Sequence, residues 1–225
     1  MEVRTAESLS RSQAGARTLA TNKVIRNTYL LLSMNLAFSA MVAFVAMATG
    51  AKPVSWILMI AVFLGMPFAI HALRNSIWGL PATFVFTGVM GYILGPIVGF
   101  YLGMANGPAI VGGALATTAV AFVGLSGYAL ATRKDFSFLG GFVLVGFLVI
   151  LAAIVANLFL AIPALSLAIS SAAVMVVSAA ILWDTSRMVH DGEANYITMT
   201  VSLFANIYVL FLHLMNLFAA FTGDN

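Results

Sequence analysis

The chain has 225 residues, 62% of them hydrophobic and 8% charged, where a soluble domain carries about 25% charged residues. That balance excludes a soluble globular protein and defines an integral membrane protein. The formal net charge of +3 is no nucleic-acid footprint, because five of the ten Lys and Arg residues (Arg4, Arg11, Arg17, Lys23, Arg26) precede the first apolar run; with no cysteine there is no disulfide, zinc–thiolate site or thiol chemistry.

Residues 1–27 are polar, rich in Ser, Thr, Ala and Arg, and lack a periodic apolar face. This composition predicts a disordered basic tail. It reads as a solvated topology anchor or as a handle for a cytoplasmic partner. A cleavable signal peptide has an apolar core of about 7–15 residues. The run that follows the tail here covers 21, residues 29–49, and is expected to be retained as a helix.

A helix needs about 20 apolar residues to cross a hydrocarbon core about 30 Å thick. Seven runs meet that length: 29–49, 54–73, 80–102, 108–131, 138–162, 164–183 and 197–221, parted by short breaks such as "GAKP", "RNSIWG", "GMANGP", "RKDFS" and "DGEAN". The prediction is an all-α protein with one seven-helix transmembrane domain over residues 28–225. The tail and the even-numbered turns hold nine of the ten basic residues, and Lys52 alone falls in an odd-numbered turn. Basic residues in short loops mark the cytoplasmic side, which predicts a cytoplasmic N-terminus and a C-terminus outside.

The third span carries Gly91, Gly95, Gly99 and Gly103 at a spacing of four, with Pro96 among them. Residues four apart share a helix face, and glycines there admit another backbone closely. Pro96 removes a backbone hydrogen bond and is expected to bend the helix. The fourth span contains "GLSG", and Ser126 within it, taken with His213, superficially suggests a serine–histidine dyad. Nothing in the spacing brings the two together.

Asp184 follows 20 uncharged residues of the sixth span. Rise alone sets it near the membrane boundary, while tilt or a late helix start would bury it. A charged aspartate at the bilayer centre costs about 2.5–3.5 kcal/mol on insertion scales, so its depth decides its cost. Arg187, three residues on, is a possible charge partner. In the last span Ser202, Asn206, His213 and Asn216 fall on one helical stripe, which suggests a polar bundle interior. An aspartyl protease would need a second intramembrane carboxylate beside Asp184, and no other span carries one.

Several ordered segments resemble a known family. "TGVMGYILGPIVGFYL" in the third span, "TRKDFSFLGG" opening the fifth, "NLFL" closing it, and "ILWDTSRMVHDGEANYITMTVSLF" together resemble the Bax inhibitor-1, or transmembrane BAX inhibitor motif, family. "NKVIRNTYLLLS", "FSFLGG" and "PALSLAIS" point to a bacterial inner-membrane branch, and the resemblance runs from Asn22 to near the C-terminus.

The resemblance implies a multi-pass inner-membrane protein that is not an enzyme, with the lipid bilayer and the membrane-anchored ATP-dependent protease FtsH as partners and no nucleic acid. In that branch members modulate FtsH, as binding partners or slow substrates. Other bacterial members are pH-sensitive calcium leak channels gated by two hydrogen-bonded aspartates, which would make calcium a transient ligand without any cofactor. The first aspartate falls on Asp184; the second falls on Asn206, where this chain has an amide. Two close carboxylates share a proton and titrate as a pair, so the amide keeps the hydrogen bond and weakens the proton switch. The leak-channel pattern also calls on a basic residue near Arg74.

Overall fold

The computed structural model describes residues 2–191 and 194–222, with side chains from Thr21 onward apart from residue 56. The basic side chains Arg4, Arg11 and Arg17 and the turn residues Gly192 and Glu193 therefore lie outside the described parts. Seven helices follow one another: α1 (Glu2–Ala48), α2 (Trp56–Leu73), α3 (Gly79–Leu102), α4 (Gly107–Thr132), α5 (Leu139–Leu160), α6 (Pro163–His190) and α7 (Tyr196–Thr222). Six of them are long and apolar enough to cross a membrane; in α2 the apolar stretch is Ile57–Leu73, and its 18 residues rise only about 27 Å.

Two boundaries differ from the hydropathy reading. The backbone is helical from Glu2, where composition predicts disorder for residues 1–27. The segment contains no proline, and Ala, Arg, Leu, Glu and Gln are good helix formers. At the other end of the bundle's chain order, α6 continues seven residues past Trp183, to His190. The run of apolar residues stops there, but the polar groups that follow find partners inside the bundle.

Local chemistry sets the remaining ends. Pro108 and Pro163 stand in the first turns of α4 and α6, where the missing N–H is no loss. α4 and α5 each stop at a left-handed residue, Arg133 (φ 50°) and Ala161 (φ 51°), whose N–H groups still donate to Ala129 O (3.0 Å) and Asn157 O (2.8 Å). The side chain of Asn157 holds the turn by accepting the Ile162 N–H at 3.1 Å. Between α4 and α5, Ser137 donates its hydroxyl (2.5 Å) and its N–H (2.9 Å) to Asp135. These two bonds hold the Asp135 carboxyl below its usual range.

α7 is the centre of the bundle, packed against α1, α2, α3, α4 and α6. Its residues join two apolar cores. One gathers Leu32, Ile70, Phe86, Met90 and Phe204; the other gathers Ala114, Val177, Ile181, Leu210 and Met215. Phe86 and Phe204 meet edge to face at 5.7 Å. α5, by contrast, touches only α6 and buries none of its residues, although it has the highest mean hydropathy of the six long helices, 2.9. Its apolar surface is what a lipid-facing helix presents.

The α1–α3 seam accounts for half of the glycine stripe. A Cβ on Gly95 would lie 2.6 Å from Ala43 O and 2.7 Å from Ala46 Cβ, and one on Gly91 would strike the Ser39 backbone. Gly99 would meet only Met47 Cγ at 3.4 Å, and Gly103 only carbonyls of its own helix end, the nearer at 3.4 Å. α3 runs through Pro96 without interruption. Beside the glycines, buried Thr87 donates to Asn35 Oδ1 at 2.8 Å, joining the two helices by a polar contact.

Cross-links at both ends fix the antiparallel order. At the end that holds most of the basic residues, Asn195 donates to Arg74 O (3.3 Å), Ser186 to Lys134 O (3.2 Å) and Thr200 to Thr28 O (3.3 Å). At the Lys52 end, Asn106 donates to Thr222 O at 2.7 Å.

Candidate functional site

The seam between α6 and α7 carries two polar clusters. In the first, Asp184 sits six residues before the end of α6 and Ser202 six residues after the start of α7. Helices that run antiparallel through a short turn bring such positions level. Ser202 and Asn206, four apart, share one face of α7. Both donate to the same carboxylate oxygen, Ser202 Oγ to Asp184 Oδ2 at 2.5 Å and Asn206 Nδ2 to Oδ2 at 2.8 Å.

Asp184 is 2% exposed, and its other oxygen, Oδ1, has no hydrogen-bond partner among the described residues. The nearest cation is Arg187, Nη1 to Oδ1 at 3.9 Å. That distance exceeds a hydrogen bond, and the arginine is shared: it lies 3.8 Å from Asp191 Oδ2 and 5.1 Å from the centre of the Trp183 ring. Asp184 is therefore a carboxylate anchored by one oxygen and loosely compensated at the other. Arg74 lies elsewhere, its guanidinium 2.5 Å from His71 Nε2 on the exposed end of α2.

The helix continues past Asp184 because the next two polar residues, Thr185 and Ser186, are bonded across the bundle. Thr185 and Ser126 share a hydrogen bond of 3.3 Å between α6 and α4, and Ser186 accepts the Phe136 N–H at 3.0 Å. Ser126 thus faces Thr185, and His213 faces a different serine.

That serine belongs to the second cluster, nearer the Lys52 end. His213 Nδ1 and Ser170 Oγ are 3.0 Å apart, and Asn216 Nδ2 donates to Ser170 Oγ (2.8 Å) and Ser166 Oγ (3.1 Å). Sequence reading finds the α7 half of this cluster and misses Ser166 and Ser170. The signal was present, since two serines four apart on α6 pair naturally with polar residues of an antiparallel α7. Among the described residues, no group of three His, Cys, Asp or Glu residues could hold a metal ion.

Residues 21–223 match the family model described as Inhibitor of apoptosis-promoting Bax1. The chain belongs to the Bax inhibitor-1 family. It is 42% identical to the Escherichia coli protein named Modulator of FtsH protease YccA, over 96% of this chain and 98% of that protein. The counterpart in another Escherichia coli strain, with the same identity and coverage, is named Inner membrane protein YccA. A Pseudomonas aeruginosa relative described as uncharacterized is 46% identical over 95% of this chain and 96% of its own length. With six helices able to span a bilayer, this Bax inhibitor-1 family member is a multi-pass inner-membrane protein. The names of its relatives describe a membrane regulator and not an enzyme.

Proposed function

We propose that this chain binds the membrane-anchored protease FtsH and modulates its activity, with its N-terminus on the cytoplasmic side. The observation that carries the reading is its similarity, over nearly the full length of both chains, to the Escherichia coli protein named for FtsH modulation. The charge asymmetry supports the orientation: Arg74 and Lys134 are tied to Asn195 and Ser186 at the end of the bundle where Thr200, near the start of α7, meets Thr28, which follows the basic residues Lys23 and Arg26. Affinity purification from native membranes is expected to recover FtsH with the tagged chain, and deletion is expected to alter the turnover of FtsH membrane substrates. Recovery of no FtsH together with unchanged turnover would overturn the reading.

A second reading rests on Asp184. A buried carboxylate with one unpartnered oxygen is a candidate gate for a proton-sensitive cation leak. In vesicles containing the purified chain, calcium flux is expected to rise with acidification and to be lost in Asp184→Ala. Asn206→Asp is expected to sharpen the pH response. Flux absent at every pH, or indifferent to Asp184→Ala, would remove this reading and leave the first intact.

A further inference from the structure

The outer helices α2 and α5 make no contact with each other, and α5 reaches none of α2, α3 or α7. A crevice of about 640 Å³ lies between them, with α7 and α6 as its floor. Its walls are apolar: Met59 and Phe63 of α2 face Phe147, Leu151 and Ile154 of α5. Polar groups gather on the floor and towards the Lys52 end. Asn157 is three residues from the end of α5, Ser166 is in the first turn of α6, and Asn216 is six residues from the end of α7. The crevice thus has apolar walls and a polar mouth near the helix ends on the Lys52 side, with Ser202 and Asn206, both committed to Asp184, further along its floor.

Part of the hydrogen-bonding capacity of that mouth is uncommitted. Asn157 spends its side-chain oxygen on the Ile162 N–H, and among the described residues its NH2 has no acceptor. Ser166 accepts from Asn216, and its own hydroxyl proton is likewise uncommitted. Ser170 is already engaged, by Asn216 Nδ2 at 2.8 Å and by His213 Nδ1 at 3.0 Å. Two donors, the Asn157 NH2 and the Ser166 hydroxyl, therefore line the mouth without acceptors among the described residues. A ligand that complements these two donors accepts hydrogen bonds at the mouth and carries a long apolar appendage.

Size narrows the occupant. A spanning helix about 30 Å long and about 10 Å across fills on the order of 2,000 Å³, several times the crevice. An extended hydrocarbon chain is narrow enough, and 640 Å³ lies within the range of about 300–1,000 Å³ common for small-ligand pockets. An apolar void left empty would forfeit dispersion contacts along both walls. We propose that a bilayer phospholipid docks here, one acyl chain lying between α2 and α5 and its ester carbonyls accepting hydrogen bonds from Asn157 and Ser166. This inference is independent of whether FtsH is the partner.

The test uses the full chain in phosphatidylethanolamine–phosphatidylglycerol vesicles containing a small fraction of phosphatidylcholine with a photoactivatable acyl chain. After irradiation, label is expected on Ala205 and Leu212 of the α7 floor as well as on Leu144 and Leu148, which face outward on α5. Leu151→Trp, which fills the crevice, is expected to lower the α7 label several-fold while the outward label stays constant and reports intact folding. Ser166→Ala, which removes a donor without adding bulk, is expected to lower it in the same direction. Label confined to Leu144 and Leu148, or α7 label unchanged in both variants, would overturn the proposal. So would reaction of Ala205→Cys with a charged, membrane-impermeant thiol reagent, since the crevice would then hold water; the absence of native cysteines makes that reaction unambiguous.

Discussion

Asn206→Leu is expected to destabilise the purified chain by about 1.5–3 kcal/mol, the cost of a lost hydrogen bond to a charged group, measured as a shift in unfolding in detergent. Neutral hydrogen bonds inside membrane bundles average only about 0.6 kcal/mol. The higher figure applies because Asp184 is 2% exposed and would keep Ser202 as its one remaining hydrogen-bond donor among the described residues. The decisive comparison is the double variant. Asp184→Leu with Asn206→Leu removes both partners, and replacing a buried polar pair by apolar groups of similar size is close to neutral. Ser202, left behind, can turn to the carbonyl one turn earlier on its own helix. The double variant is therefore expected to recover most of the loss, giving a large coupling energy. Additive losses would mean that the Asp184–Asn206 bond of 2.8 Å contributes nothing specific.

Asn206→Asp tests the same contact from the opposite direction. It puts an acceptor where Nδ2 donates, so the bond survives only with a proton between the two carboxyls. Stability of that variant is expected to rise as pH falls, since the folded state then binds a proton that the unfolded chain does not hold at the same pH. A pH-independent unfolding curve for Asn206→Asp would show that the two side chains can move apart.

The second large effect belongs to the α1–α3 seam. Gly95→Leu is expected to destabilise by several kcal/mol, because even a methyl group at residue 95 would lie 2.6 Å from Ala43 O and 3.0 Å from Met47 N, backbone atoms that cannot step aside. Gly95→Ala is expected to cost about 1–3 kcal/mol, the usual range for overpacking. Gly99→Ala is the control. Its nearest neighbour is Met47 Cγ at 3.4 Å, the flexible part of a side chain, so its effect is expected within about 0.5 kcal/mol. Equal losses in both would mean that close approach to the α1 backbone does not set the cost, since Ala is the better helix former and propensity alone would stabilise both variants. Separation of α1 from α3 would also stretch the Thr87–Asn35 bond, which makes the seam cooperative.

Hydropathy is a reliable guide to these helices because the bilayer enforces it: α3 begins and ends within one residue of the apolar run 80–102. It fails at Asp184 for an equally physical reason. Hydropathy measures what a side chain costs in lipid, and Asp184, Thr185 and Ser186 face other helices that bond them. A polar run is therefore not a helix end when each polar group has a partner. The spacing of Gly91, Gly95, Gly99 and Gly103 identifies a face but not its occupant; only the arrangement of α1 distinguishes the two that need to be glycine. Likewise the stripe on α7 is legible from period, whereas Ser166 and Ser170 become visible only when α6 is laid antiparallel against it.

The central place of α7 also sets an order of assembly. It is the last of the seven helices to be synthesised, and it supplies both side chains that donate to Asp184, the hydroxyl that reaches the Thr28 carbonyl, and contacts to five other helices. Six helices emerge and insert before their hub exists. During that interval a carboxylate in α6 lacks the donors it will later have, and an interior surface stands open to lipid. A chain cut short before Tyr196 would therefore display, in the plane of the membrane, the exposed polar groups by which an unfinished protein is told from a finished one.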